Sequence, residues 1–557
     1  MGVRVLAPFG PRTLTGFIVH LGDRPPDEAG EVREIRALLD EEELMPPRML
    51  EFTRLLSRRY ASSWGEFLAA AVPPSYRPRA RSRFRLTPEG GSAAGEGRLA
   101  GEEKRLAELL RGARYSARFL KKELGANIAP VLSRMRARGL VEEVEPGAPK
   151  RGKKKPASAR VAQGQLALDF PPPAGLEKVF DEILHPAQQG SSGLFYFLGG
   201  RGSRESVYEA LIRAVWKDSG RVLLLAPEIS RAVDFLQKYE GLFAGSAAAL
   251  HSRLTERQRE EQWALIRSGR ARLVAGTRSA LFVPVPGLRV VVVEEEQDDS
   301  FFQAESPAYD TRQAARVLGR VMGAAVVFGS GHPSVESYHE AEAAGRVVRL
   351  RGETPPSKAR LVDVRRERGF LSRDLTEAIG THAARGGRMI VFLNRRGFAS
   401  EVVCGRCGAL PRCGRCDIPL FFLKRRNALV CRYCGMSRPE PGRCPVCGGP
   451  LRLGRSPGVE AVQEEIKRLF PRLRIAAFDS DSVRQESAQD LVLDRFERGR
   501  VNLLVGTQLL ASRDRVPPAS LVAVLNPESL LGIPDYRSGQ RTYHSLCRMM
   551  RFAQGPG

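Results

Sequence analysis

Several things are scarce in this sequence, and each scarcity removes a class of protein. No stretch approaches the roughly 18 unbroken apolar residues of a membrane-spanning helix, although 42% of the 557 residues are hydrophobic, enough for several cores. The start has no basic stretch leading into an apolar core, so no secretory signal is expected and the expected location is the cytoplasm. Acid is in deficit: 63 Asp plus Glu face 88 Lys plus Arg, a net charge of +25. That surplus favours a polyanionic partner, because each neutralised phosphate releases counterions. A base-rich genome is the bland account of the same arginines. Cysteine is confined: eight of nine lie between 404 and 447, and Cys547 alone lies outside, where it reads as an ordinary buried residue. A chain-wide disulfide framework is thereby excluded.

What is present falls into blocks, and the length suggests roughly three or four domains. Residues 1–90 open with strand-like text, RVLAPFG and LTGFIVHLG, and pass into a Gly- and Arg-rich stretch. Residues 100–145 carry helical periodicity (Leu106, Leu109, Leu110; Phe119, Leu120, Leu124; Val131, Leu132, Met135) and end in the strand-like GLVEEVE, which reads as a winged helix. Residues 146–173 are Pro-, Gly- and Lys-rich, hold KRGKKK, and read as a basic linker. In 174–350 the runs LFYFLGG, RVLLLAPE, RLVAGT, LRVVVVEEE and AAVVFGS look like buried parallel strands, with functional loops at their ends. A second such set begins in 351–400 with RMIVFLNRRG. It is interrupted at 401–453 by the cysteines and resumes in 454–557 with RIAAFDSD, VNLLVGTQ and LVAVLN. The expected fold is therefore multidomain α/β: an N-terminal β-rich domain, a winged helix and two parallel α/β lobes, the second carrying an inserted metal module.

The cysteines form four Cys-x2-Cys knuckles: Cys404/Cys407, Cys413/Cys416, Cys431/Cys434 and Cys444/Cys447. Two knuckles supply the four tetrahedral ligands of one zinc, so two zinc ions per chain are expected, in structural roles. The middle pairs flank IPLFFLKRRNALV, a β-hairpin with a basic turn at Lys424, Arg425 and Arg426, which makes the middle four a zinc ribbon and leaves the outer four to close a second site. Sequential pairing, first knuckle with second and third with fourth, is the alternative that spacing leaves open.

A phosphate-binding candidate follows the strand FYFL. The loop GGRGSRES, with Gly199, Gly202, Ser203, Glu205 and Ser206, occupies the place of a G-x4-G-K-[ST] loop. Gly199 fits the first glycine and Ser206 keeps the hydroxyl. The second glycine is Arg204 and the lysine is Glu205. A carboxylate facing the β/γ phosphates replaces an attraction of about 4 kcal/mol at ~4 Å with repulsion, so the loop reads as unable to hold nucleotide. The strand LRVVVV ends in Glu294, Glu295, Glu296 and Gln297, where magnesium-holding and water-positioning acids would stand. Without the lysine these carboxylates do not make an ATPase.

Several strings resemble one family: VRVLAPFG at 3–10, LAPEIS at 225–230, LHSRLTERQREEQW at 250–263, GTRSALFVP at 276–284, EEEQDDSFFQ at 294–303, FLNRRGFA at 392–399, the cysteine block, and VGTQLLA at 505–511. From Val3 to about Thr542 the chain resembles the PriA replication restart helicases, and nearly its whole length is covered. The resemblance implies an N-terminal domain that senses a 3′ DNA end, a winged helix, two RecA-like lobes around ATP, and partners among the primosome and replication restart proteins. It implies one zinc on Cys404, Cys407, Cys444 and Cys447 and another on Cys413, Cys416, Cys431 and Cys434. Of the 3′-end pocket, Gly10 matches, and Arg33 matches as an arginine in place of a lysine.

The departures bear on catalysis. The family's GVTGSGKT is GGRGSRES here, its DEEH is Glu294 to Gln297, its SATPS is SGHPS at 330–334, and its KGHDFP is SRDRVP at 512–517. The final GRAGR has no counterpart; the sequence ends RMMRFAQGPG. The family's opening strand and C-terminal domain fall outside this sequence, as a misplaced start and an early stop would leave them. The internal substitutions have no such origin. The expected function is a nucleoid-associated restart protein that binds forked and single-stranded DNA and nucleates primosome assembly without helicase activity. An active ATP-dependent 3′-to-5′ helicase with atypical motifs is the alternative.

Overall fold

In the computed structural model the described residues are 1–10, 12–23, 32–73, 83–111, 115–116, 120, 123–124, 128–144, 172–185, 193–238, 245–350, 359–364, 367, 369–393, 400–423, 428–431, 433–439, 442–453, 459–479, 483, 486–511, 513, 516–531 and 535–553. The basic linker as far as residue 171 and the hairpin turn Lys424–Arg426 lie outside them. The chain divides into two compact units. One comprises Met1–Gly193, Ala210–Val292 and Ser300–Val326; the other comprises Leu194–Glu209, Val293–Asp299 and Val327–Gly557.

The first unit opens with a hairpin. Strand Arg4–Phe9 runs antiparallel to Arg12–Phe17, with Arg4 opposite Phe17 and Phe9 opposite Arg12, and Ala37–Leu38 pairs on the other edge of the first strand. Gly10 turns the hairpin at φ +57°, a conformation that suits glycine. The Arg4 guanidinium donates to Asp40 at 2.8 Å, tying the sheet to the segment that follows it. Helix Pro47–Arg59 starts with proline at its first turn and buries Met49, Leu50, Phe52 and Leu56 at three- and four-residue spacing, the stripe of a helix with one apolar face. Phe52, Phe67 and Tyr309 gather around Phe282, with ring centroids 5.7, 6.1 and 5.1 Å from it. Each ring that is fully buried in this way contributes about 1.5–3 kcal/mol.

The winged-helix reading corresponds to helices Gly101–Leu110 and Ile128–Ala137 with a sheet in which Arg83–Leu86 pairs antiparallel to Val141–Val144. Leu106, Leu110, Leu120, Val131 and Met135 fill its core. Farther along in the same unit, Leu273–Gly276 lies between Arg221–Leu225 and Ala247–Leu250, all parallel. The strand Ala247–Leu250 was not evident from sequence, because its AAAL text carries little β-propensity. Its place in the ladder beside Leu273–Gly276 supplies what local preference does not.

In the second unit Val347–Arg349 runs parallel to Leu194–Leu198. A four-stranded parallel sheet has the order Ile475–Phe478, Leu503–Gly506, Met389–Leu393, Leu521–Leu525. Ile390, Phe392, Phe478 and Leu504 pack on one face with Phe552, whose ring stacks 6.0 Å from that of Phe392. The cysteine module is inserted between Met389–Leu393 and Ile475–Phe478. It is a five-stranded sheet in which Phe421–Leu423 and Ala428–Val430 form the expected hairpin. The multidomain α/β architecture of parallel sheets with an inserted cysteine-rich ribbon is thus the one the sequence pattern indicated, and it agrees with the RecA-like lobes that the resemblance implies. Among the described residues no helix is long and apolar enough to cross a membrane.

Candidate functional site

Strand Leu194–Leu198 delivers the chain to Gly199 and Gly200, and helix Arg201–Lys217 begins at once. Gly202 and Ser203 are therefore helical, and the Arg204 N–H already donates to the Gly200 carbonyl at 3.1 Å. A phosphate cradle needs successive backbone N–H groups in an open loop turned toward one anion. Here the loop has closed into the helix. The Gly199 N–H is spent on the Ser330 carbonyl at 3.2 Å. The Ser206 hydroxyl bonds back to the Gly202 carbonyl at 3.0 Å, and Glu205 pairs with Arg201 one turn away at 2.7 Å.

Arg204, at the position of the second glycine, is the centre of the site. It is 1% exposed, one of the most fully enclosed large side chains in the protein. Its Nη2 donates to Glu294 Oε1 and to Glu295 Oε1, both at 2.6 Å, its Nε donates to Glu294 Oε2 at 3.0 Å, and its Nη1 donates to the Gly199 carbonyl. Tyr208, one turn along the helix, donates its hydroxyl to Glu294 Oε2 at 2.8 Å, and Gln297 donates to Glu295 Oε2 at 2.6 Å. Glu295 is held at φ +52°, an uncommon backbone conformation for a side chain of this kind. Gly329 closes the pocket from the next strand end; a Cβ there would collide with the Tyr208 hydroxyl. Burial presses the Arg204 guanidinium down, but Glu294 and then Glu295 outweigh it and hold the group well above the ordinary arginine value. Burial and Glu294 likewise raise Tyr208. The two acids that would hold magnesium and position water are thus ion-paired to a cation from the chain itself.

Glu296 is enclosed separately. It accepts from the Tyr196 hydroxyl at 2.7 Å, from the Ser334 N–H at 2.7 Å, and from the Ser334 and Ser337 hydroxyls at 2.9 and 3.0 Å. Ser334 also caps helix Val335–Ala343. A further row lies on one face of helix Ser538–Met550. Gln540 accepts from the Val335 N–H at 3.1 Å, Arg541 pairs with Asp299 at 3.1 Å, His544 meets the Pro333 carbonyl at 3.0 Å, and Arg548 pairs with Asp298. Just before it, Arg537 pairs with Glu336 at 2.9 Å. The spacing of three and four along a helix faces these side chains the same way. Neither the serines nor this row was picked out from sequence.

The eight cysteines converge as two sets of four: Cys404, Cys407, Cys444 and Cys447, and Cys413, Cys416, Cys431 and Cys434, with all thiols of a set within 4.8 Å of one another. Sequential pairing is thereby excluded. Zinc–sulfur bonds of about 2.3 Å in a tetrahedron place sulfurs ~3.8 Å apart. The separations are 3.5 Å for Cys404 and Cys447, 3.7 Å for Cys407 and Cys444, and 3.7 Å for Cys413 and Cys434, so the sets fit zinc.

All four knuckles share one backbone. The residue four past the first cysteine is left-handed (Gly408, Asp417, Gly435, Gly448) and returns its N–H to the carbonyl of that cysteine at 2.9–3.0 Å. Backbone N–H donation from Cys407 holds the Cys404 thiol down at about 6 and donation from Arg415 holds Cys413 at about 7, whereas Cys447 pushes Cys407 and burial pushes Cys416 up to about 12. The predicted DNA residues Gly10 and Arg33 belong to the N-terminal sheet region: Gly10 at the exposed hairpin turn, Arg33 in the exposed approach to strand Ala37–Leu38.

Residues 1–73 match the family model described as the 3′DNA-binding domain, and residues 413–439 match that of the Cys-rich region of the PriA DNA helicase. Replication restart protein PriA of Treponema pallidum is 30% identical over 560 residues, covering 98% of this chain and 72% of that protein. The chain belongs to the PriA family. PriA of Haemophilus influenzae is 28% identical over 558 residues, 97% of this chain and 75% of its own length. PriA of Bacillus subtilis is 31% identical over 381 residues, 66% of this chain and 47% of its own. The structure of RecG bound to a three-way DNA junction covers 68% of this chain and 46% of that one at 15% identity, with a TM-score of 0.35. PriA membership assigns a DNA-binding domain to the N-terminal block, and the two four-cysteine sets together with the Cys-rich match assign two zinc ions per chain.

Proposed function

We propose that this PriA-family chain is a replication restart factor that binds forked and single-stranded DNA and nucleates primosome assembly without unwinding DNA. The observation that carries this reading is the buried Arg204 guanidinium on Glu294 and Glu295. Nucleotide with magnesium would have to expel that cation. Breaking a buried, hydrogen-bonded ion pair costs about 3–5 kcal/mol, which at 1.4 kcal/mol per tenfold weakens binding roughly a hundredfold to a few thousandfold. The lysine position offers Glu205 in place of compensation. Ser334 and Ser337 donate to Glu296 at 2.9 and 3.0 Å, so this third acid too is engaged by side chains of the protein.

On this reading the lobes are a scaffold. Residues 1–90 supply 3′-end recognition with Gly10 and Arg33, the winged helix at 100–145 and the basic residues Lys424, Arg425 and Arg426 add phosphate contacts, and the linker at 146–173 joins these to the lobes at 174–350 and 351–557. The partners are primosome and replication restart proteins, and the location is the cytoplasm, on the nucleoid. Forked and single-stranded DNA should bind with a log–log salt slope of several units, one for roughly each phosphate neutralised. Fluorescence anisotropy across 50–200 mM salt measures it; an affinity that barely changes contradicts the electrostatic footprint.

A further inference from the structure

The knuckle backbone has a consequence for the zinc module's surface. Because the four knuckles are conformational copies, the residue just before each second cysteine occupies the same place in each. These residues are Arg406, Arg415, Tyr433 and Val446, and all four are exposed. Tyr433 is 80% exposed and Val446 74%. The pattern is regular: each metal set carries one arginine tip and one apolar tip, Arg406 with Val446 and Arg415 with Tyr433. Cys416 and Cys434, which directly follow Arg415 and Tyr433, belong to one set whose thiols all lie within 4.8 Å of one another, so both tips are carried by the same metal centre. The turn under Arg415 is held by the Asp417 N–H, which donates to the Cys413 carbonyl at 2.9 Å.

We propose that Tyr433 and Arg415 form a contact for single-stranded DNA, with an unpaired base stacked on the Tyr433 ring and the adjoining phosphate on the Arg415 guanidinium. The inference rests on the reading of this chain as a DNA binder and adds a site to it. Three observations favour this occupant. Among the described residues neither Tyr433 nor Arg415 has a side-chain partner, so both are available. The module is basic, with ten Lys and Arg against three acids between residues 401 and 453, which suits a polyanion. An exposed ring beside a cation is the combination that single strands use, since every base has a face to stack and every base is followed by a phosphate. Val446 has no such face, which makes the outer zinc set an internal control.

The test uses the full zinc-loaded chain and a fluorescein-labelled oligothymidylate. Tyr433→Ala should weaken binding roughly 5- to 150-fold, the range that loss of one stacked base corresponds to, while Tyr433→Phe keeps it within about twofold of wild type. Arg415→Ala should lower the salt slope by about one, and Val446→Ala should leave affinity unchanged. Photo-crosslinking of wild type to a strand carrying 5-iododeoxyuridine should yield an adduct on the peptide containing Tyr433, a readout that does not depend on any variant folding. The proposal is overturned if Tyr433→Ala, still holding two zinc ions, binds the strand as wild type does, or if that peptide carries no adduct. In that event wild-type binding of the strand leaves the DNA reading standing, whereas a wild type that binds no strand overturns both. Loss of a protein contact in Tyr433→Ala with DNA affinity intact would assign the tip to a protein partner and refute the site.

Discussion

The strand-end pocket and the zinc module both concentrate charge, and they dispose of it in opposite ways. In the pocket the carboxylates of Glu294 and Glu295 face a guanidinium supplied by the chain, with Tyr208 and Gln297 completing the donors. In the module, eight thiols converge in two sets of four, the thiols of each set within 4.8 Å of one another. A ligand entering the pocket would have to displace a charge that the chain already supplies, whereas four thiols converging on one another form the donor set of a metal. On the proposed reading the pocket has given up a nucleotide position while the module keeps two metal positions, and the geometry separates the two more sharply than the count of altered residues does.

Perturbing each side should give effects of different size. The largest is expected from the module. Cys413→Ser or Cys431→Ser should release one zinc of two and unfold the ribbon, because structural zinc contributes on the order of 10 kcal/mol to folding such sites. Metal analysis with far-ultraviolet dichroism checks it, and a variant that keeps two ions contradicts the pairing. Next, Arg204→Ala should destabilise the protein by about 3–5 kcal/mol, since it strands two buried carboxylates. Adding Glu294→Gln and Glu295→Gln should recover part of the loss, because the stranded charges are then gone. A single variant as stable as wild type would mean that the pocket is not held by this pair. The smallest effects test the knuckle turn. Gly408→Ala meets open space but a left-handed backbone, so it should cost about 1–2 kcal/mol. Asp417→Gly should instead stabilise by about 0.5 kcal/mol, because its exposed pair with Arg412 contributes little. A shift of the melting temperature in the same direction for both would refute the shared turn.

The sequence made some of this comparison legible. Cysteine spacing is a local signal, and it located both metal sets, although only the folded sheet decided between nested and sequential pairing. Long buried strands such as Leu288–Glu294 announced themselves by continuous apolar text. Ala247–Leu250 and Val347–Arg349 did not, one being mostly alanine and the other three residues long. At the pocket the sequence showed that Arg204 replaces a glycine and Glu205 a lysine, which reads as a loss. It did not show that Arg204 turns inward onto acids 90 residues away, because that depends on the helix starting at Arg201 and on which strand ends meet. The contacts of Ser334, Ser337 and Arg548 were illegible for the same reason: each joins segments far apart in the chain.

On the proposed reading the chain's own guanidinium holds the place of nucleotide and magnesium. DNA-stimulated ATP hydrolysis by the purified, zinc-loaded protein tests it most directly, with a mock preparation and an Arg204→Ala, Glu205→Lys variant measured alongside. The account predicts turnover indistinguishable from the mock and no saturable ATP binding at micromolar concentration for the wild type. Turnover clearly above the mock, dependent on added DNA, would contradict it and restore the active helicase reading.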